Sequence, residues 1–129
     1  MMKNRQNLYA SIAIALLAGS SIAQAHPRLI SSTPVAHTTV PKPTKIMLNF
    51  SERLIGPLSG GDIFMTKAPG RMLRQPVRMS GINSTVAPNG KALVLAIPRP
   101  LQAGSYQVNW HAVSIDTHRV QGNLVFDVK

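Results

Sequence analysis

The sequence predicts an all-β fold: a single immunoglobulin-like or cupredoxin-like Greek-key β-sandwich of about seven strands. Three observations carry that expectation. From residue 26 onward no stretch keeps the 3.6-residue apolar period of an amphipathic helix. The chain's ten prolines and nine glycines cut it into short apolar segments at regular spacing, the pattern of sandwiches and barrels. The clearest segments alternate with a period of two. In residues 105–113, Tyr106, Val108 and Trp110 share one face while Gln107, Asn109 and His111 share the other.

Taken in order, the chain opens with Lys3 and Arg5, an apolar run from Leu8 to Gly19, and the small-x-small triplet Ala23-Gln24-Ala25. This is the three-part grammar of a secretory signal peptide. The run is shorter than the ~20 residues that span a bilayer. Residues 1–25 are therefore expected to be a cleaved leader, leaving 26–129 as one exported domain. That length buries a core without disulfide or metal support.

A first strand is expected over residues 28–32, then a loop over 33–44 with three prolines. Residues 45–50 alternate as a half-buried strand, with Ser51-Glu52-Arg53 at its end. Another strand covers 62–66, and Pro69-Gly70 signals a turn. Residues 76–79 and 84–86 are weaker strand signals. Pro88-Asn89-Gly90-Lys91 marks a hairpin into a strand over 92–97. A connector over 98–104 leads to the strand at 105–113. A loop over 114–121 precedes a last strand over 122–128, with Leu124, Phe126 and Val128 on one side.

Composition narrows the function. With no cysteine, zinc-finger, iron–sulfur and blue-copper thiolate sites are excluded. The net charge is +10, of which the leader holds two, so the exported chain carries +8 against Glu52, Asp62, Asp116 and Asp127. The cations are scattered, with no Lys/Arg run and 5% aromatics, which argues against nucleic acid. The balance instead suits anionic membrane surfaces or acidic partner proteins. No Ser/His/Asp or paired-carboxylate arrangement suggests acid–base catalysis.

Cleavage after Ala25 makes His26 the N-terminus, where amine and imidazole can chelate one metal ion. Pro27 has no backbone N–H, so a copper ion cannot be wrapped by that amide and further ligands must come from elsewhere. Asp116 and His118, two residues apart, would project to one side of an extended segment. Imidazoles, an amine and one carboxylate suit tetragonal Cu(II), with Zn(II) as competitor. An α-amine's ordinary pKa is about 7.7–8.0, so such a site would weaken in mild acid.

Taken together the motifs resemble the CopC family of copper-binding, copper-resistance proteins. They are His26-Pro27-x-Leu29-x-Ser31-Ser32-x-Pro34, Phe50-Ser51-Glu52, Met65-Thr66, Pro69-Gly70 and Leu101-x-Ala103-Gly104-x-Tyr106-x-Val108-x-Trp110. Ala112-Val113-Ser114-x-Asp116-Thr117-His118 and Gly122 complete the set. The resemblance implies a β-sandwich that binds Cu(II) through His26, Asp116 and His118 and carries or buffers copper outside the cytoplasm. Glu52 matches a carboxylate near that site, whereas its ordinary reading is a strand-end acid paired with Arg53 or solvent. An inner-membrane copper transporter or a periplasmic copper oxidase is the partner implied for what is expected to be a monomer.

Two departures stand out. Some members carry a Cu(I) site of several methionines and a histidine after Met65-Thr66. Here residues 67–79 hold no histidine, only Met72 and Met79, and four cations. No high-affinity Cu(I) site is expected, and Met65, Met72 and Met79 read as core or surface fillers. The family's proline after Asp-Thr-His is Arg119, which adds a positive charge beside His118. His37 and His111 read as solvated and half-exposed, and Trp110 as core. Two rival functions remain: a copper-dependent polysaccharide monooxygenase-like enzyme, and a metal-free sandwich module for protein contacts.

Overall fold

A computed structural model describes residues 26–129; the leader expected over residues 1–25 lies outside them. Nine strands form: β1 (Leu29–Thr33), β2 (Thr39–Val40), β3 (Lys45–Phe50), β4 (Gly60–Ala68), β5 (Arg71–Arg78), β6 (Asn83–Val86), β7 (Ala92–Ala96), β8 (Gly104–Val113) and β9 (Arg119–Val128). One sheet has the order β1-β3-β7-β6 and the other β2-β9-β8-β4-β5. The β-sandwich expected from the sequence is the fold observed, and a single turn of 3-10 helix at Gly56–Leu58 is its sole helical element among the described residues.

Alternation decides which side chains meet between the sheets. Ile46, Leu48 and Phe50 of β3 face Tyr106, Val108 and Trp110 of β8, with Leu124, Phe126 and Val128 of β9 beside them, all buried. Leu93 and Leu95 of β7 and Ile63 of β4 close the layer. His111 lies half-buried on the outer face, opposite Gln121. Met65 and Met79 pack partly buried against the core, while Met72 is 72% exposed.

Turn chemistry sets the connections. Gly70 and Gly90 both take positive φ, 77° and 76°, where a Cβ is strained. At the β6–β7 hairpin, Asn89 Oδ1 accepts from the N–H groups of Lys91 and Ala92 at 2.9 and 3.2 Å, the Asx-turn bond that makes asparagine a turn residue.

Three expectations are corrected. The 33–44 loop contains β2, two residues that pair in parallel with the end of β9. β5 starts at Arg71, five residues before the expected 76, and β9 starts at Arg119 rather than 122. The loop after β8 therefore shrinks to residues 114–118.

Gly122 sits directly opposite Trp110 in the β8–β9 ladder. A Cβ there would lie 2.5 Å from Trp110 Cζ2 and 2.9 Å from Cε2. The indole cannot retreat, because Phe50 stands edge-on to it at 5.1 Å between ring centroids. Gly122→Ala should destabilise the fold by about 1–3 kcal/mol, the usual range for overpacking, and shift the emission of the chain's one tryptophan. Urea unfolding followed by fluorescence measures both; a variant as stable as its parent would refute this packing account.

Candidate metal centre

β8 and β9 are joined at one end of the sandwich by the turn 114–118. Two backbone bonds close it: Ser114 N–H donates to the His118 carbonyl at 2.9 Å, and Thr117 N–H to the Ser114 carbonyl at 2.8 Å. Thr117 completes the reversal with φ at 72°, a left-handed conformation that is costly for a β-branched residue. The segment is thus a tight turn rather than the extended stretch the spacing suggested. It still puts Asp116 and His118 in contact, with the carboxylate Oδ2 3.0 Å from His118 Nδ1.

Asp116 is fixed from several directions. The Ser114 hydroxyl, itself buried, donates a short hydrogen bond to Oδ1, and the His118 backbone N–H approaches the same oxygen at 3.3 Å. The Ser114 bond first, and the His118 ring second, hold the carboxyl below its ordinary 3.8, at about 2. An ionised carboxylate only accepts, so His118 Nδ1 must carry the proton it shares. The contact fixes the orientation of the His118 ring beside the carboxylate.

His26 arrives from the other sheet. Arg28 N–H donates to Ser51 Oγ and Ser51 N–H to the Arg28 carbonyl, both at 2.9 Å. This clamp pins the chain just before β1 to the end of β3. Beyond it, among the described residues, come Pro27, buried, and His26, exposed. The His26 and His118 rings lie 4.6 Å apart between centroids, tilted by 56°. Sequence reasoning named both histidines, and the fold brings them together from opposite sheets.

Glu52 is half-buried at the end of β3 and forms no ion pair among the described residues, with Arg53 or any other cation. The Arg53 guanidinium instead covers Gly90. His37 is exposed in a left-handed turn (φ 62°), its N–H bonded to the Val125 carbonyl at 2.8 Å. Among the described residues no three His, Asp or Glu side chains close into a ready-made cage. The functional residues that sequence reasoning did not single out are Ser114 and Ser51. The signals were a serine two places before the acid and another just after a strand.

The depressed Asp116 pKa has a pH consequence. Its stabilising contribution is complete above the unfolded value near 3.8 and is lost as pH falls through about 2. The carboxylate thus keeps its charge throughout mild acid. Ser114→Ala should raise the Asp116 pKa toward 3.8, as read by NMR titration of the side-chain carboxyl. A folded variant still titrating near its parent would show that the hydroxyl is not the cause.

Comparison with known proteins agrees with this architecture. The CopC domain family model matches residues 29–129. Copper resistance protein C of Pseudomonas syringae pv. tomato is 40% identical over 131 residues, covering 100% of both chains. Copper resistance protein C of Escherichia coli is 44% identical over 109 residues, covering 83% of this chain and 84% of its own. Among solved structures, selenomethionine PcoC, a copper resistance protein from Escherichia coli, superposes with a TM-score of 0.75 at 41% identity. It covers 80% of this chain and 100% of its own. CopC from Methylosinus trichosporium OB3b shares the fold, with a TM-score of 0.61 at 24% identity over 81% of this chain and 94% of its own. A domain match over nearly every described residue, with relatives that span the chain at this identity, makes the protein a member of the CopC family.

Proposed function

We propose that the protein is a periplasmic Cu(II) carrier or buffer serving copper resistance and homeostasis, released from its leader by cleavage after Ala25. One Cu(II) is held by the His26 amine and imidazole, His118 and Asp116, with Glu52 as a nearby carboxylate. The observation that carries the reading is the approach of the His26 and His118 rings, 4.6 Å between centroids, with Asp116 bonded to His118. The names of the relatives, copper resistance protein C, support the choice of metal.

The same reading gives no high-affinity Cu(I) site. Cu(I) favours several converging thioethers. Here Met65 and Met79 are partly spent on the core, Met72 points to solvent, and Lys67, Arg71, Arg74 and Arg78 surround them in sequence. We also infer a binding protein rather than an enzyme. Of the aromatic side chains after residue 25, Phe50, Tyr106, Trp110 and Phe126 are buried and Phe64 is half-buried. No aromatic platform is left to hold a polysaccharide beside the histidines. As a monomeric carrier it would exchange copper with an inner-membrane copper transporter or a periplasmic copper oxidase.

Cu(II) titration of the chain beginning at His26, followed by Trp110 fluorescence and electron paramagnetic resonance, tests the site. One equivalent with a nitrogen-rich tetragonal signal is expected. Retaining Ala25 removes the free amine of His26 and should weaken binding by about tenfold or more, since 1.4 kcal/mol already makes that factor. His118→Ala should do the same. Equal affinity in the extended form would exclude His26 as the anchor. For Cu(I), a chromophoric Cu(I) probe complex should keep its metal; transfer of one equivalent to the protein would contradict the second claim.

A further inference from the structure

The end of the sandwich opposite the histidines gathers six cations. Lys42 and Lys45 flank the start of β3, Lys67 and Arg71 the β4–β5 hairpin, Arg99 the connector before β8, and Lys129 the end of β9. All six are exposed. The register gathers them at one end. Lys67 pairs with Ser105, Gly104 with Val128, Thr39 with Asp127, and Lys45 with Ala96. Two backbone bonds tie the flanking loops to the same end: Ile97 N–H to the Thr44 carbonyl at 2.9 Å and Lys129 N–H to the Val40 carbonyl at 3.1 Å.

Among the described residues one acidic side chain, Asp127, stands among them. None of the six cations forms an ion pair among the described residues, where Arg78–Asp62 and His118–Asp116 are the pairs present. Met72, opposite Lys67 in the β4–β5 ladder and 72% exposed, adds an apolar side chain to the cluster. The cations come from separate loops and strand ends, and among the described residues no side-chain hydrogen bond holds them in a fork that would select one carboxylate. Such a field sums over its charges and suits an anionic surface whose charges are many and free to rearrange.

We propose that this cationic end docks on the anionic headgroups of a phospholipid bilayer. The histidine end then points away from the membrane. Nine ladder steps separate the Val113↔Arg119 and Gly104↔Val128 pairs, which at about 3.3 Å each is ~30 Å. The docking rests on the proposed export for the membrane it meets, and it holds whether or not His26 binds copper. It divides the molecule into an attachment end and an exchange end.

The test is co-sedimentation of residues 26–129, which contain every strand and the whole core described above. The vesicles are phosphatidylglycerol/phosphatidylcholine mixtures or phosphatidylcholine alone. Binding to the anionic vesicles alone is expected, with release in about 1 M salt, where the screening length is ~3 Å. Lys67→Glu with Arg71→Glu should weaken the partition about tenfold or more, because each basic residue near the surface contributes separately. A charge-matched pair at the histidine end, Arg53→Glu with Lys91→Glu, should bind close to the parent. Thermal melts and Cu(II) titration of each variant establish that it is folded and report on the copper site separately. Failure of the parent to bind anionic vesicles overturns the proposal. So does equal loss in both paired variants, which would mean net charge without orientation. Binding to a polyglutamate peptide but not to vesicles would assign the surface to an acidic protein instead.

Discussion

The β8–β9 ladder is the constraint from which the rest follows. Ten consecutive antiparallel pairs run from Gly104↔Val128 to Val113↔Arg119. Because the side-chain period is two, a slip of one residue would send Tyr106, Val108 and Trp110 outward and expose the core. The register is therefore fixed by burial, and the turn that closes the ladder inherits its position. Asp116 and His118 occupy that turn, so the most strongly specified pairing in the fold also aims the two proposed donors. The third proposed donor, His26, comes from the other sheet through the Arg28–Ser51 clamp. The candidate site thus bridges the two layers.

What the sequence revealed tracks where burial acts on one face. β3, β8 and β9 bury alternate residues, and their alternation was readable. β5 is an edge strand exposed along nearly its whole length, so nothing in Arg71 to Gln75 had to be apolar and its first half could not be seen. β2 is two residues long and its partner is nearly ninety positions away, a pairing no local pattern encodes. At the site, Asp116 and His118 were legible as a spacing, but for an incomplete reason. The spacing suggested an extended segment, whereas left-handed Thr117 and the Ser114 hydroxyl create the contact. That His26 meets His118 depends on the stacking of two sheets, which one sequence does not reveal.

The histidine end also carries the molecule's visible compromises. Thr117 takes a conformation that suits glycine, and Trp110 Nε1 is buried without a hydrogen-bond partner among the described residues. An unmet buried donor costs on the order of 1–3 kcal/mol. Trp110 stays because its ring fills the space opposite Gly122 and against Phe50, a packing role that outweighs the unused N–H.

The Arg28–Ser51 clamp has a consequence for how cargo and fold depend on each other. In the form proposed above, cleaved after Ala25, the chain past the clamp is a leash of two residues, one of them a proline whose φ is fixed. His26 therefore searches a small volume, and its effective concentration at His118 is high. The leash holds only while β1, an outer strand joined to β3 alone, remains docked. An ion shared by His26 and His118 would stitch that outer strand to the β8–β9 turn, so fraying of β1 and release of the metal would be one event. On that reading, loading would close a seam of the sandwich and unloading would leave it free to open.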